Sequence, residues 1–343
     1  MLLNKKLKWG ILGAARVNER LLPAICEAPN SQLVAIASRR AGAANATMEK
    51  YAPAYAGNVI CYDALDALIN DNNIDAIYCP MANEEHAEWA LKAINAGKHV
   101  LIEKPMATSL QDIDLIEAAA KNVNVKVMEG FMYRFHPQHS RVAEIVAGGV
   151  IGDILSVRSS FSFLMREARM YRINRSMNQG GGAMWDIGPY AIHTLRWAFG
   201  LEPKSVVAHA KLNEHGADIV TSGILDFGND AKNRARFGHF DISFERSRKS
   251  EYEVIGDKGW LKCHTVWAFD QDIPVISWGT DAGESGEEKL KPANHFVLEI
   301  EHFSDCVLND KLPHLSFADA KANCKTIQAV LQSIASGGTV VLA

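Results

Sequence analysis

The first candidate for chemistry in this chain is a lysine that ends a short apolar run at residues 99–105, HVLIEKP. The apolar residues predict a buried strand. Pro105 must end it, because proline cannot donate to a sheet ladder and biases Lys104 away from helical angles. In an open parallel sheet, ligands bind at the carboxyl ends of the strands. Lys104 is therefore a candidate catalytic group; the alternative is a surface loop with an ordinary Glu103–Lys104 salt bridge.

A second candidate group follows the consecutive glycines Gly180–Gly182, which let a backbone pass close to a ligand or to another segment. Pro189 is tolerated only in the first turn of a helix, so a helix is predicted to begin near it. Asp186, Tyr190 and His193, at i, i+4 and i+7, would then lie on one side. An aspartate cap followed by two half-buried aromatic residues is the alternative. Opposite a lysine at a strand end, this tyrosine could handle a substrate proton.

The elements that would position these groups alternate between strands and helices in the first third of the chain. Short apolar runs predict strands, and amphipathic stretches predict helices. The predicted strands are Leu7–Leu12, Leu33–Ala37, Ile74–Cys79, Val100–Ile102 and Val125–Met128. The predicted helices are Val17–Glu27, Ala41–Tyr51, Tyr62–Ile69, Glu84–Ala96 and Ser109–Lys121. This alternation is typical of an α/β fold with a doubly wound parallel sheet.

Two turns in this alternation indicate a dinucleotide. The first strand runs into Gly13-Ala14-Ala15-Arg16-Val17-Asn18, which keeps only the first glycine of the G-x-G-x-x-G fingerprint and would equally suit a plain strand-to-helix turn. The second strand ends in Ser38-Arg39-Arg40, where an NAD-selective fold has an acid. A hydroxyl and two guanidiniums suit a 2′-phosphate, so NADP is favoured over NAD. A solvated basic turn is the alternative.

The second part of the chain is rich in predicted strands. A helix is predicted at His136–Gly148. The strands that follow are Ile154–Phe163, Ser205–Leu212, Ile219–Phe227, Ala235–Phe244, Tyr252–Ile255, Trp260–His264 and Pro274–Trp278. Several alternate polar with apolar residues, which indicates a sheet with one face on a core and the other partly exposed. Such a face is a surface on which copies of the chain could associate.

The last part of the chain is predicted to contain a polar, mobile loop at residues 281–288 and two helices, Ala293–Leu308 and Ser316–Ser336. His295, Glu299 and His302 share one face of the first helix. Because no other ligand-type residues cluster with them, we expect a substrate-facing or solvated face rather than a metal site.

Composition narrows the class of protein. The 343 residues are 48% hydrophobic and 22% charged with a net charge of -4, which gives no support to binding of nucleic acid or of anionic membranes. No apolar run reaches the roughly 18 residues of a membrane span, and no signal peptide is recognised. The six scattered cysteines favour reduced thiols over a disulfide framework. We expect a cytoplasmic protein with two domains, residues 1–130 and 131–343.

Three blocks of sequence carry a family resemblance: residues 84–105, residues 130–137 (GFMYRFHP) and residues 180–190 (GGGAMWDIGPY). In order and spacing they resemble the Gfo/Idh/MocA oxidoreductase family over nearly the whole chain. The Gly-Ala-Ala-Arg turn and the tyrosine four residues after Asp186 look most like the branch with D-xylose dehydrogenase, dimeric dihydrodiol dehydrogenase and glucose-fructose oxidoreductase. Many other members carry histidine at the Tyr190 position.

This resemblance implies a Rossmann domain followed by an α/β domain with a large, mostly antiparallel sheet. It also implies a nicotinamide cofactor, a sugar or cyclitol substrate, and association through the second sheet as a homodimer or homotetramer. No metal is expected.

Oxidation of a secondary alcohol requires that the cofactor take a hydride and that the protein handle a proton. Free tyrosine, with a pKa of about 10, is a poor base, and closing a gap of roughly 3 units requires about 4 kcal/mol of preference for the phenolate. A nearby ammonium and an oxidised nicotinamide have the charge to supply it. We therefore expect Tyr190 to transfer the proton and Lys104 to lower its pKa and bind the reacting oxygen. Asp186 would orient Lys104 or the substrate hydroxyl; Lys104 could itself be the acid.

The remaining expected contacts come from the matching blocks and from local polarity. The substrate is expected to contact Arg134 and His136 from the family block, and Arg169, Tyr171, Arg172 and His193 from polarity alone. The cofactor is expected to contact Gly13, Ala14, Ala15, Arg16 and Val17 with its pyrophosphate, Ser38, Arg39 and Arg40 near its 2′-phosphate, and Pro80, Met81, Asn83, His86, Glu103 and Lys104 near the nicotinamide ribose.

Three functions are compatible with these residues. The leading one is an NADP-dependent dehydrogenase or reductase that acts on a secondary alcohol or carbonyl of a sugar or related polyol. A second keeps its cofactor tightly bound and shuttles hydride within one site, as a sugar oxidoreductase or an NAD-dependent glycosidase. A third is a non-catalytic NADP-binding regulator, against which the presence of both Lys104 and Tyr190 argues. Which sugar is bound depends on single hydroxyl contacts that no sequence pattern reports.

Overall fold

The computed structural model describes residues 5–267 and 273–342, and these form two compact units. The first unit comprises the described part of Met1–Phe135 together with Asn294–Lys321. The second comprises the described parts of His136–Ala293 and Ala322–Ala343. Asn294–Lys321 thus packs with the first unit, whereas the predicted division after residue 130 assigns it to the second domain. Across both described ranges, every helix is too short or too polar to cross a membrane.

Helices and strands are numbered here in chain order. The helices are α1 (Asn18–Glu27), α2 (Ala43–Tyr51), α3 (Leu65–Ile69), α4 (His86–Asn95), α5 (Leu110–Val123), α6 (Pro137–Ala147), α7 (Ala183–Asp186), α8 (Gly188–Phe199), α9 (His295–Leu308) and α10 (Phe317–Ser336). The strands are β1 (Leu7–Leu12), β2 (Ser31–Ala37), β3 (Ile60–Tyr62), β4 (Ala76–Cys79), β5 (His99–Glu103), β6 (Val127–Gly130), β7 (Ile154–Ser162), β8 (Ser205–Leu212), β9 (Asp218–Asn229), β10 (Ala235–Ser243), β11 (Lys249–Gly256), β12 (Gly259–Cys263), β13 (Val275–Thr280), β14 (Ser285–Lys289) and β15 (Val340–Val341).

The sheet of the first unit has six parallel strands in the order β3-β2-β1-β4-β5-β6. This confirms the predicted doubly wound α/β sheet. The strand order reverses between β1 and β4, and the carboxyl ends of the strands at such a reversal form the crevice in which nucleotides bind. Strand β3 was not predicted, because its three residues are too few to show a periodic pattern.

Helix α9 completes the core of the first unit from a distant part of the chain. The fully buried Trp9 donates from its indole N–H to Ser304 Oγ at 3.1 Å, and its ring lies 5.5 Å from that of Phe303. His295 and Glu299 are 5% and 1% exposed. The expectation of a solvated face is therefore wrong for these two residues, because this side of the helix packs inside the unit.

The second unit contains a nine-stranded sheet in the order β14-β13-β12-β11-β7-β10-β9-β8-β15. Only the β7–β10 pair among these described strands is parallel, which confirms the mostly antiparallel sheet. Helix α8 packs on β7 and β10. Apolar side chains remain exposed at Ile224, Phe237 and Trp260. Association of copies through this sheet stays a prediction.

The predicted mobile loop at residues 281–288 is wrong in its second half, which forms strand β14. The strand pairs with β13, and Gly286 leaves room for the Trp278 ring that a side chain would meet. Glu288 accepts from Arg141 Nε and Nη2 at 2.7 and 2.8 Å. Strand β14 (SGEEK) has no apolar residue whose pattern could indicate a strand. Its pairing therefore depends on contacts with distant residues.

Candidate active site

The turn after β1 is closed by its own side chains. Gly13 has φ +107, a conformation that favours glycine, and its N–H donates to Ala37 O at 2.8 Å. Its carbonyl accepts from the side-chain amide of Asn18 at 2.9 Å, and Asn18 is fully buried. Asn18, where the fingerprint has its third glycine, thus stabilises the turn. Ala14, Ala15, Arg16 and Val17 remain half-buried or exposed ahead of α1, whose N-terminus favours an anion.

The predicted 2′-phosphate residues lie at the end of β2. Ser38 is 4% exposed, and its Oγ accepts from the Arg40 backbone N–H at 3.1 Å. Arg40 Nη2 lies 3.4 Å from the carbonyl oxygen of Ala14, so the end of β2 reaches the turn after β1. The Arg39 guanidinium is paired with Glu85. The two exposed guanidiniums of Arg39 and Arg40 fit a dinucleotide that carries a 2′-phosphate.

His86 connects the segment after β4 to the segment after β5. Its Nδ1 lies 2.7 Å from Pro105 O, and its Nε2 lies 3.0 Å from Met81 O. The ring is 1% exposed, and burial lowers the pKa of His86 to about 4. Pro80 is also buried, while Met81 and Asn83 are half-buried. Because the neutral ring has one N–H, His86 donates to one of these two carbonyls and contacts the other, and any contribution to cofactor binding is through the Met81 and Pro105 segments.

The Lys104 turn is held by two carboxylates as well as by His86. Glu103 accepts from the Tyr78 hydroxyl with one oxygen and from the Lys104 N–H at 3.2 Å with the other. Glu129, 3% exposed at the end of β6, accepts from the Met106 N–H at 2.7 Å. Glu129 was not predicted as a site residue. The signal for it is an acid inside the apolar run Val127-Met128-Glu129-Gly130.

A third carboxyl group lies near this strand end in the first unit. Glu299 of α9 is fully buried, and neither of its side-chain oxygens has a hydrogen-bond partner within the described residues. Burial raises the pKa of Glu299 well above its usual value, and the charge of Glu103 raises it further. Glu299 is consequently a carboxyl group that the folded protein favours in its neutral form.

In the second unit, Asp186 and Tyr190 do not share a helix. Asp186 ends the short helix α7, where the Ile187 N–H donates to Ala183 O at 2.8 Å. Helix α8 then begins at Gly188, with Pro189 in its first turn. Asp186 therefore lies just ahead of the first turn of α8, and the predicted helix start near Pro189 is confirmed. Tyr190 and His193 do lie on α8, 7% and 2% exposed.

Asp186 is paired with Arg172, which also places it near Tyr171. The Arg172 guanidinium donates to Asp186 Oδ1, and Arg172 Nε donates to the Tyr171 hydroxyl at 3.3 Å. Tyr171 is 56% exposed. Arg169 lies 5.1 Å above the Phe163 ring, a cation–π distance. The predicted residues Tyr171, Arg172 and Asp186 are thus brought together.

The start of α7 is fixed by a buried aspartate that was not predicted. Asp218 Oδ2 in β9 accepts from the Met184 N–H at 2.9 Å and from the Thr221 hydroxyl at 2.6 Å. A side chain at Gly182 would overlap Asp218 Oδ1, so glycine is required for this close approach. Burial raises the pKa of Asp218 to about 6. Asp218 therefore positions the glycine-rich approach to Asp186 and Tyr190.

Tyr190 is packed among aromatic rings. Its ring centroid lies 5.8 Å from that of Phe161 and 6.3 Å from that of Trp267. The carbonyl of the preceding residue, Pro189, accepts from Asn323 Nδ2 at 3.3 Å. These contacts fix the position of the Tyr190 ring.

Arg134 and His136 belong to different units. Arg134 Nη2 lies 3.3 Å from His314 Nε2 in the first unit. His136 caps α6 in the second unit, where its Nδ1 accepts from the Gln138 N–H at 3.1 Å. His136 is 1% exposed, and burial lowers its pKa to about 4. A capping role, which the sequence pattern did not predict, is thus established for His136.

Lys104 and Tyr190 likewise belong to different units. The first unit gathers the predicted cofactor residues and Lys104 at one edge of its parallel sheet. The second gathers Tyr190, Asp186 and Arg172 around the glycine-rich turn. Within the described ranges, no group of three or more His, Cys, Asp or Glu residues could hold a metal ion.

Two family models match the chain. Residues 7–131 match the model described as "Oxidoreductase family, NAD-binding Rossmann fold", and residues 139–262 match the GFO/IDH/MocA C-terminal domain.

Relatives with named activities match over nearly their full length. The chain is 30% identical over 339 residues to D-xylose 1-dehydrogenase (NADP(+)) 2 of Haloferax volcanii, covering 98% of this chain and 100% of the relative. It is 27% identical over 343 residues to trans-1,2-dihydrobenzene-1,2-diol dehydrogenase of Xenopus tropicalis, covering 95% and 98%. A crystal structure of a 3-ketoreductase from Actinomadura kijaniata with NADP and TDP-benzene is similar at a TM-score of 0.86 and 27% identity, covering 96% and 98%. The chain belongs to the GFO/IDH/MocA family of NAD(P)-dependent oxidoreductases.

Proposed function

We propose that this protein is an NADP-dependent oxidoreductase that transfers a hydride between nicotinamide and a secondary alcohol or carbonyl of a sugar or related polyol. The observation that carries this proposal is the sheet edge of the first unit, where a turn at positive φ precedes α1 and the accessible guanidinium of Arg39 follows β2. The relatives named for D-xylose and for a dihydrodiol, and the ketoreductase solved with NADP, support the same class of reaction.

The bound nicotinamide supplies or accepts the hydride. Tyr190 transfers the proton of the reacting hydroxyl, and its packed ring fixes the position of its oxygen. The positive charge of Lys104 binds the reacting oxygen. Asp186, paired with Arg172, orients the substrate hydroxyls.

The carboxylates around Lys104 serve to place it. Glu103 and Glu129 hold the backbone on both sides of Lys104–Pro105, and His86 holds the Pro105 carbonyl. The Lys104 side chain thus leaves a backbone that is fixed from three directions, which reduces the cost of orienting its ammonium group.

The first experiment is an NADP-linked absorbance assay with pentoses, hexoses, amino sugars and trans-dihydrodiols. We expect NADPH to form and to pass into solution, which filtration would detect. Retention of all reduced cofactor on the protein would instead indicate internal hydride shuttling. Absence of both turnover and NADP binding would contradict the proposed function.

The assigned roles are tested with Lys104→Met and Tyr190→Phe. Each is expected to lower kcat by about a hundredfold or more, because each removes a group that acts on the reacting oxygen, while the Kd for NADP changes by less than about threefold. Tyr62→Phe is the matched control. Tyr62 lies in β3, its hydroxyl donates to Asp71 at 3.2 Å, and it takes no part in the proposed reaction. Nearly normal turnover in either site variant would remove that residue from the mechanism.

A further inference from the structure

The guanidinium assigned to the 2′-phosphate already holds an anion of the protein. Arg39 Nη1 and Nη2 donate to the two carboxylate oxygens of Glu85 at 2.6 and 3.1 Å. The pair is accessible, because the Arg39 side chain is 57% exposed and that of Glu85 is 26% exposed. Arg39 follows β2, whereas Glu85 ends the 3-10 turn Asn83–Glu85 after β4. Two different strand ends therefore meet through this one ion pair.

We propose that Glu85 sets the preference of this protein between NADP and NAD, because it occupies Arg39 and places a negative charge beside the 2′-phosphate. The inference rests on the proposed function, since it takes the end of β2 as the 2′-phosphate site. Glu85 lies outside the Ser38-Arg39-Arg40 turn. It opposes the binding of NADP but not the binding of NAD.

The geometry of the guanidinium defines the competition. Arginine has five N–H donors, and Glu85 uses one from each of Nη1 and Nη2. A 2′-phosphate, with a charge of about -1.5 to -2, must either displace the carboxylate or bind the remaining edge of the same guanidinium. In the first case NADP binding breaks an ion pair, and in the second two anions share one cation. NAD, which lacks the phosphate, meets neither cost.

The other polar groups at the end of β2 make contacts within the protein that do not involve an anion. Ser38 Oγ accepts from the Arg40 backbone N–H at 3.1 Å, and Arg40 Nη2 is directed to Ala14 O at 3.4 Å. Arg39 is the guanidinium at this strand end that is paired with an anion of the protein, and that anion is Glu85.

Glu85 also supplies the group that β2 lacks for binding NAD. NAD-selective folds place a carboxylate at this strand end to accept from the ribose 2′-hydroxyl. Here the residues that follow β2 are Ser38, Arg39 and Arg40, and Glu85 brings a carboxylate to the same position from the neighbouring turn. The charge of Glu85 thus weakens the binding of NADP, while its side-chain oxygen offers NAD an acceptor that the amide of the Glu85→Gln variant retains.

The test is calorimetric titration of the full-length protein with NADP and with NAD, repeated with adenosine 2′,5′-bisphosphate and adenosine 5′-monophosphate as fragments. In Glu85→Gln we expect the Kd for NADP and for the bisphosphate to fall about threefold to tenfold. The Kd for NAD and for the monophosphate should stay constant within about twofold. Glu117→Gln is the matched control. It removes the same charge within α5, where Glu117 is 21% exposed and pairs with Lys121 at 2.6 Å.

A double-mutant cycle assigns the effect to the ion pair. In the Arg39→Ala background, Glu85→Gln should no longer improve NADP binding by more than about 1.5-fold, because the guanidinium it releases is absent. Unchanged or weaker NADP binding by Glu85→Gln would overturn the inference while leaving the proposed function in place. An equal gain in Glu117→Gln would also overturn it, since that result reflects net charge alone. Wild-type protein that binds neither dinucleotide would overturn the proposed function and this inference with it.

Discussion

The turn after β5 carries Lys104 and the first turn of α8 carries Tyr190, both proposed catalytic side chains. The contacts that fix these two backbone segments come from different parts of the sequence. Lys104 follows a strand, and its backbone is held by groups at the ends of neighbouring parallel strands: Glu103, Glu129 and His86. The start of α7, which leads to Tyr190, depends on Asp218 in β9. The groups around Lys104 come from strand ends that meet at one sheet edge, whereas the start of α7 depends on the single side chain of Asp218. The first arrangement should therefore tolerate the loss of one contact better than the second.

The largest effect is expected for Asp218→Ala. The change leaves the buried Met184 N–H and Thr221 hydroxyl without their acceptor, and we expect a loss of about 3 kcal/mol in the free energy of unfolding. Urea denaturation measures this loss, and hydrogen exchange should rise in the peptide covering residues 182–199. Asp218→Asn, which retains one oxygen as acceptor, should lose less. Unchanged exchange in that peptide would show that Asp218 does not fix the turn.

The second largest effect concerns pH and the buried cap of α6. Burial lowers the pKa of His136 to about 4 in the folded protein, below its usual value of 6.5. The stabilisation from its neutral form is therefore complete above pH 6.5 and is lost as pH falls from there through about 4. At pH 5 the loss amounts to about 2 kcal/mol. The cause is the cost of burying a charged imidazolium, and protonation of Nδ1 would also remove the acceptor of the Gln138 N–H.

His136→Asn isolates this contribution, because asparagine caps helices without titrating. Urea midpoints at pH 7 and pH 5 should differ less in the variant than in the wild type. His86, whose pKa is also lowered to about 4, contributes in the same pH range to both proteins and cancels in the difference. An identical pH dependence in both proteins would exclude His136 as the source.

The smallest effect is expected for Glu129→Ala, the counterpart of Asp218→Ala in the first unit. It removes the acceptor of the Met106 N–H, but Glu103 and His86 still hold the turn. We expect a loss of about 1.5 kcal/mol in the free energy of unfolding and an unchanged Kd for NADP. Exchange in the peptide covering residues 104–108 should rise only slightly. A loss as large as that of Asp218→Ala would refute the proposed difference between the two turns.

Local structure could be predicted from the sequence where it depends on interactions between residues that are close along the chain. The bounds Leu7–Leu12 of β1 were predicted as observed, and the Ser109 side chain accepts from the Asp112 N–H at the start of α5, as its position predicts. Pro105 likewise placed Lys104 at the end of a strand. In each case the deciding interaction is a backbone restriction or a contact within a few residues.

Structure could not be predicted from the sequence where a residue is held by a partner that is distant along the chain. Strand β14 is polar, and its place beside Trp278 and Arg141 follows from the sheet rather than from its own pattern. The pairing of Asp186 with Arg172, 14 residues earlier, could not be read from the spacing of Asp186 to Tyr190 and His193. Glu129 and Asp218 are buried acids, and each is stabilised by a backbone N–H from another segment, that of Met106 for Glu129 and that of Met184 for Asp218. The sequence around each acid does not reveal this donor.

The first unit is built from two stretches of chain, and this has a consequence for its biosynthesis. The ribosome completes Met1–Phe135 long before it reaches α9, which carries Ser304 and Phe303, the partners of Trp9. Until then the nascent sheet lacks part of its cover and exposes apolar surface that promotes aggregation. We expect a truncated polypeptide ending at Phe135 to precipitate on expression, and a synthetic peptide covering His295–Leu308 to improve its recovery.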